Sequence, residues 1–138
     1  MKLTTKSRYA VMAIVEVAHR NSDIPIKLAD ISDSQGIPLS YLEQIFLKLK
    51  RADIVKAVKG PGGGYLLNDA TSNISVIDIV DAVDEGTKMN RCENGRYCTK
   101  SGDKCRTHDL WKGLGMQIRS YLSKISIADI LEDNISVV

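Results

Sequence analysis

The sequence has no apolar run long enough to cross a bilayer, no Cys-x-x-Cys pair, and only three cysteines and two histidines among its 138 residues. Each of these lacks excludes something. A membrane-spanning helix needs roughly 20 consecutive apolar residues. The first stretch, MKLTTKSRYAVMAIVEVA, carries Glu16 within its apolar part and offers no small-residue cleavage site for a secretory leader. The expectation is a cytoplasmic protein with no membrane partner. Cysteines in odd number, gathered between positions 92 and 105, do not make a disulfide framework and suit a reducing compartment in which thiols stay available as ligands. Net charge is nearly absent too, at +2, and alone would not point to nucleic acid. Its placement is uneven: residues 1–70 carry +3, 71–85 carry −4, 86–124 carry +6 and 125–138 carry −3. The basic segments are therefore the candidate partner surfaces.

What is present suffices for one domain, or a compact domain with an appended helix, because 43% of the residues are hydrophobic and can build a real core. Thr4 and Thr5 are candidate N-caps for a first helix whose apolar positions Tyr9, Val11, Met12, Ile14, Val15, Val17 and Ala18 occupy more than one face. That helix is expected to be buried on several sides, with His19 at the surface near its end. After the polar turn NSDIPI, residues Leu28, Ala29 and Ile31 mark a second helix from Lys27 to Gln35, closed by Gly36 where a left-handed C-cap is expected. Pro38 suits the first turn of a third helix, Leu39 to about Ala52, which would bury Leu42, Ile45, Phe46 and Leu49. Two short helices joined at a glycine turn form a helix-turn-helix.

On the third helix Ser40, Tyr41, Glu43 and Gln44 fall away from the apolar side. In a DNA major groove Ser40, Glu43 and Gln44 could reach base edges, glutamine to adenine and glutamate to a cytosine amino group. A plain helical hairpin with a polar face would show the same pattern. The next segment separates the two: Ile54–Val58 and Tyr65–Leu67 are β-prone runs joined by KGPGGG, and a hairpin directly after a recognition helix is a wing. Its tip, Lys59 through Gly64, has almost no side chains. Backbone amides at Gly60, Gly62 and Gly63 can therefore approach phosphates closely, and Lys59 can enter a minor groove. The tip lacks the Lys-Ser/Thr of a nucleotide-binding P-loop and does not open a helix.

Ser75, with Asp78 three residues on, caps a further helix striped by Val76, Ile79, Val80 and Val83. It leads into CENGRYCTKSGDKCRTH, from Cys92 to His108. Cys105 and His108 can share one face at a helix start while Cys92 and Cys98 approach from the loop, and three thiolates with one imidazole can hold a metal centre. The residues between are loop material. Structural zinc, a metal-free thiol redox switch and a Cys105–His108 nucleophile-base pair are the other readings. The missing Cys-x-x-Cys opposes the first, and the absence of an orienting third group opposes the last. After His108, residues Leu110, Trp111, Leu114, Ile118, Tyr121, Leu122 and Ile125 keep helical spacing, and such a long amphipathic helix needs a second apolar surface. A winged helix on a palindromic double-stranded operator needs a two-fold partner, so a homodimer is expected, with Trp111 in its interface or the core. Ser126 to Leu131 reads as a short capped helix, followed by a frayed tail.

The run YLEQIFLKLKRADIVKAVKGPGGGYLL, the three-cysteine loop ending CRTH and the long helix resemble the IscR-type iron-sulfur cluster regulators, a group of bacterial winged helix-turn-helix repressors. The similarity covers essentially the whole chain, and SYLEQ with GPGGGY is specific as a pair. The resemblance implies a mainly α fold with a small β-hairpin wing: a winged helix-turn-helix DNA-binding domain over 1–84, a cluster-binding loop over 85–108, and a dimerisation helix with tail over 109–138. It implies a homodimeric transcription regulator, not an enzyme, which binds a [2Fe-2S] cluster through Cys92, Cys98, Cys105 and His108 and controls genes of cluster assembly. It places base reading at Ser40, Glu43 and Gln44, and the wing residue, commonly arginine, at Lys59; lysine keeps the charge but loses the planar fork. The Cys98–Cys105 interval is one residue longer than such regulators usually show, which a flexible loop absorbs at little cost. A nitric-oxide-sensing relative takes an acidic ligand from the first helix, where this chain has Arg8, and this favours His108.

Overall fold

The structure, a computed structural model, describes residues 3–20, 23–83 and 105–137. Helix α1 (Thr5–His19) starts at Thr4, whose hydroxyl accepts a 3.1 Å hydrogen bond from the Ser7 amide while its own backbone stays extended. Of the two neighbouring threonines, the outer one therefore caps, and Thr5 is already helical. The helix buries Ala10, Ala13, Ile14 and Val17, with Tyr9, Val11, Val15 and Ala18 packed at the margins. Ala10 and Ala13, both fully buried, bring neighbouring elements close. Met12 is exposed.

Helix α2 (Leu28–Gln35) buries Ile31 and closes at Gly36, a left-handed cap at φ 67° whose amide donates to the Ser32 carbonyl at 2.9 Å. Helix α3 (Leu39–Arg51) follows. Pro38 stands at its N-cap with extended ψ 134°, one position ahead of the first turn, and its carbonyl accepts from the Tyr41 and Leu42 amides at 3.0 and 3.1 Å. The inner face of α3 is Leu42, Ile45, Phe46 and Leu49, all at 0% exposure.

Strands β1 (Val55–Val58) and β2 (Gly64–Leu67) pair antiparallel, with Val55 opposite Leu67 and Val58 opposite Gly64. Between them Gly60–Gly63 is a β-turn closed by a 2.9 Å bond from the Gly63 amide to the Gly60 carbonyl. Pro61 sets the first central position, and Gly62, at φ 76°, supplies the second, which an L side chain would strain. A further rung lies outside the hairpin: Ile26 and Tyr65 exchange amide-to-carbonyl bonds of 3.0 and 2.9 Å, so the wing is stitched to the segment ahead of α2.

Helix α4 (Val76–Val83) carries a reciprocal cap, in which the Asp78 amide donates to the Ser75 hydroxyl and the Ser75 amide to the Asp78 carboxylate. It buries Val76, Ile77, Ile79, Val80 and Val83. Helix α5 (His108–Ser123) packs Leu122 and Ile118 against Val76, Ile77 and Val80, and the Arg119 guanidinium makes two 2.9 Å bonds to the Asp81 carboxylate. The chain then returns to the core. The Val76 amide donates to Ile125 and the Ile127 amide to Ile74, both at 2.9 Å, and helix α6 (Ile127–Leu131) starts from a Ser126–Asp129 capping box. Helix α1 touches α2, α3, α4, α6 and β2, so it is the hub of the fold. Among the described residues no helix is long and apolar enough to cross a membrane.

Ile127 is fully buried in the same cluster as Ile14 and Ile79, so α6 belongs to the winged-domain core although it follows α5 in the chain. Replacing Ile127 with Ala should cost about 2–5 kcal/mol in urea unfolding. A loss near zero would place α6 outside the cooperative core.

Candidate nucleic-acid interface and cysteine turn

With Leu42, Ile45, Phe46 and Leu49 committed to the core, the opposite side of α3 is left to solvent, and Ser40, Glu43 and Gln44 are all exposed there. Positions 40, 43, 44, 47 and 51 repeat at intervals of three and four, which sets them on one stripe. Tyr41 sits at the edge, half-buried, with its ring edge-on to Tyr9 at a centroid distance of 5.5 Å and 84° between planes. Part of its surface thus holds the start of α3 against α1.

Lys59, Gly60 and Gly62 are exposed at the wing tip, whereas Gly63 is buried beneath the turn, where a Cβ would overlap the Val58 carbonyl oxygen. Gly63 is needed for close backbone approach within the turn itself, and its amide is spent on the Gly60 carbonyl, so the expectation that it faces phosphates does not hold for this glycine. Lys50, Arg51 and Lys56 are exposed near these groups. All the base-edge and wing candidates named from sequence therefore lie on α3 or on the hairpin that follows it.

The seating of α2 on α1 and its turn toward α3 are held by contacts that the local pattern does not announce. The Glu16 carboxylate of α1 accepts from Arg20 Nε at 2.6 Å, from Ser34 Oγ at 3.1 Å and from Gln35 Nε2 at 3.0 Å, which ties α1 to the end of α2. Ser32 Oγ donates to the Ile37 carbonyl at 2.6 Å across the turn. The hydrogen bond from Arg20 holds the Glu16 carboxyl below the usual glutamate range, against burial that raises it, with Ser34 and Gln35 adding to the lowering. The signal for this clasp was a carboxylate inside an otherwise apolar stretch. Lys48 Nζ donates to the Val83 carbonyl at 3.4 Å, joining α3 to α4.

Cys105 and His108 stand in one turn at the head of α5: the His108 amide donates to the Cys105 carbonyl at 3.1 Å, and both side chains are half-exposed. Cys105 Sγ lies 3.6 Å from Thr107 Oγ1. Cys92 and Cys98, and with them the lengthened Cys98–Cys105 interval, fall outside the described residues. Among the described residues no three His, Cys, Asp or Glu side chains gather as a metal set. A thiol and an imidazole three residues apart on one turn are nonetheless a soft donor pair of the kind that iron-sulfur clusters and zinc accept. Along α5, Leu110, Trp111, Leu114 and Tyr121 are exposed.

A helix-turn-helix with a solvent-facing polar stripe, followed at once by a glycine-tipped hairpin, defines the winged helix-turn-helix class of transcription regulators. Residues 3–133 match the Rrf2 family, described as iron-dependent transcriptional regulators, and the chain belongs to that family. It is 47% identical over 134 residues to the HTH-type transcriptional regulator IscR of Vibrio atlanticus, covering 97% of this chain and 77% of that protein. The IscR of Yersinia enterocolitica is likewise 47% identical over 133 residues, covering 96% and 80%. Among solved structures, T. potens IscR superposes with a TM-score of 0.79 at 30% identity, over 98% of this chain and 89% of that one. The relatives are transcriptional regulators, not enzymes, and this chain is a regulator of the IscR type.

Because Glu16 is held below the ordinary glutamate range, its clasp stabilises the fold fully above that range and is lost as pH falls through the lowered value. Glu16→Gln should therefore cost about 1–2 kcal/mol near neutrality. In thermal unfolding from pH 7 to 3, the gap between variant and wild type should close on the acid side. A gap independent of pH would mean that the carboxylate charge does not stabilise the α1–α2 joint.

Proposed function

We propose that the chain acts in the cytoplasm as a homodimer that reports iron-sulfur supply through a [2Fe-2S] cluster held by Cys92, Cys98, Cys105 and His108, and that it controls genes of cluster assembly. The observation that carries the reading is the Cys105–His108 turn at the head of α5, the helix that is itself packed and ion-paired on α4. When bound, such a cluster supplies a redox-active anionic centre whose presence depends on available iron and sulfide. The exposed Arg106 beside the turn offsets that negative charge.

The dimer reading is supported by the outward side of α5, where Leu110, Leu114 and Tyr121 are exposed at helical spacing while Ile118 and Leu122 face α4. An exposed apolar stripe of that length on a soluble helix marks a protein interface. A two-fold pair would present two copies of α3 to a palindromic double-stranded operator. Ser40, Glu43 and Gln44 would then read base edges, with Tyr41 beside them. Lys59 would enter the minor groove, and the amides of the exposed Gly60 and Gly62 would lie along the phosphates.

Protein isolated without oxygen should carry iron and acid-labile sulfide at about two of each per chain with visible absorption, and Cys105→Ala or His108→Ala should lose both. Stoichiometric zinc in colourless protein would overturn the sensor reading and leave the regulator standing. In binding to the selected operator, Glu43→Ala should change base preference by about 1–3 kcal/mol at one position. Lys59→Ala should instead weaken all sequences alike and lower the salt slope by about 1. The reverse pattern would mean that the two residues exchange roles.

A further inference from the structure

The outer stripe of α3 holds one residue that the reading so far leaves idle. Leu47 is 48% exposed in the middle of the helix, although the inner face beside it is at 0%. It lies seven residues after Ser40, four after Glu43, three after Gln44 and four before Arg51, so it occupies the centre of the solvent-facing stripe, not its margin. The core does not use it. Its neighbours on that stripe are hydroxyl, carboxylate, amide and guanidinium groups, and Lys50 and Arg51 beyond it are exposed cations suited to phosphates.

We propose that Leu47 is a specificity-determining residue that packs on the 5-methyl group of a thymine in the major groove. The inference rests on the DNA-binding reading of α3 and adds a base to it. Base edges in that groove offer donors and acceptors, plus one apolar group, the thymine methyl, which apolar side chains contact. Seven residues of helix advance roughly 10.5 Å. At 3.4 Å per base step that is roughly three base pairs beyond the one facing Ser40. A branched side chain placed there among hydrogen-bonding groups discriminates thymine from cytosine by burying the methyl, without a hydrogen bond of its own.

The test uses full-length protein and the operator recovered by selection from random duplexes. Each thymine is replaced singly by deoxyuridine, which deletes the methyl and keeps every pairing group. One thymine per half-site should show about a fourfold loss of wild-type affinity, equivalent to about 0.8 kcal/mol for one buried methyl at 1.4 kcal/mol per tenfold. That penalty should vanish in Leu47→Ala and persist in Leu47→Met, with the salt slope unchanged in both. Selective wild-type binding with no deoxyuridine penalty, or with the same penalty in Leu47→Ala, overturns the inference alone. Failure of the wild type to select any sequence overturns the DNA-reading assignment and the inference together.

Discussion

One helix, α3, has to be core on one side and, in the proposed function, reader on the other, and the burial of Leu42, Ile45, Phe46 and Leu49 decides how it sits. Each such side chain stabilises the fold by roughly 1.5–3 kcal/mol when removed from water. Turning the helix by one residue, about 100°, would bring Glu43 into the place of Leu42, and an unpaired buried carboxylate costs more than any gain on the outside. The orientation of Ser40, Glu43 and Gln44 is therefore a consequence of hydrophobic packing, settled before any partner arrives.

From that face the remaining elements of the reading unit close on one another. Phe46 meets the Tyr65 ring at 4.9 Å, Tyr65 exchanges two backbone bonds with Ile26, and Ile26 stands just ahead of α2, which turns at Gly36 back into α3. Helix-turn-helix and wing are thus one closed circuit, not a domain with a loose appendage. The Glu16 clasp and the Tyr9–Tyr41 pair fasten this circuit to α1. A two-stranded hairpin alone is marginal in water, and here the extra rung and the Phe46 contact supply what it lacks.

The parts that were legible in the sequence are those with short-range causes. The inner face of α3, the Gly36 stop, the Ser75–Asp78 and Ser126 caps and the GPGGG turn each follow from residues within one or two helical turns of each other. What was missed depends on residues far apart in the chain. Ile26 pairs as a single rung, so it shows no alternation, and NSDIPI reads as a turn until Tyr65 is placed beside it. Ala10 and Ala13 are buried because they are small enough for close helix contact, a property that hydrophobic periodicity underweights. The return of α6 to the core depends on backbone bonds from Ile74 and Val76 to a segment some fifty residues away, which no local pattern encodes. Of the four proposed ligands, Cys105 and His108 are placed in one turn, which their spacing anticipated, while Cys92 and Cys98 lie outside the described residues.

The same contacts set how strongly the head of α5 can be felt at α3. The turn bearing Cys105 and His108 begins α5, α5 rests on α4 through Ile118, Leu122 and the Arg119–Asp81 pair, and α4 meets α3 where Lys48 reaches the Val83 carbonyl. Arg119 and Asp81 are each nearly half exposed, so their pair is worth about 0.2–1 kcal/mol. The apolar seam beneath it involves larger side chains and outweighs the pair. Allosteric couplings are commonly about 1–3 kcal/mol, and a ligand shifts an equilibrium only by its difference in affinity for the two arrangements. Making and breaking the surface ion pair falls at or below the lower end of that range, whereas the Ile118–Leu122 seam on α4 buries more apolar surface than the pair. In the proposed sensor the seam, more than the charge pair, is therefore where order at the cysteine turn would bear on the grip of α3.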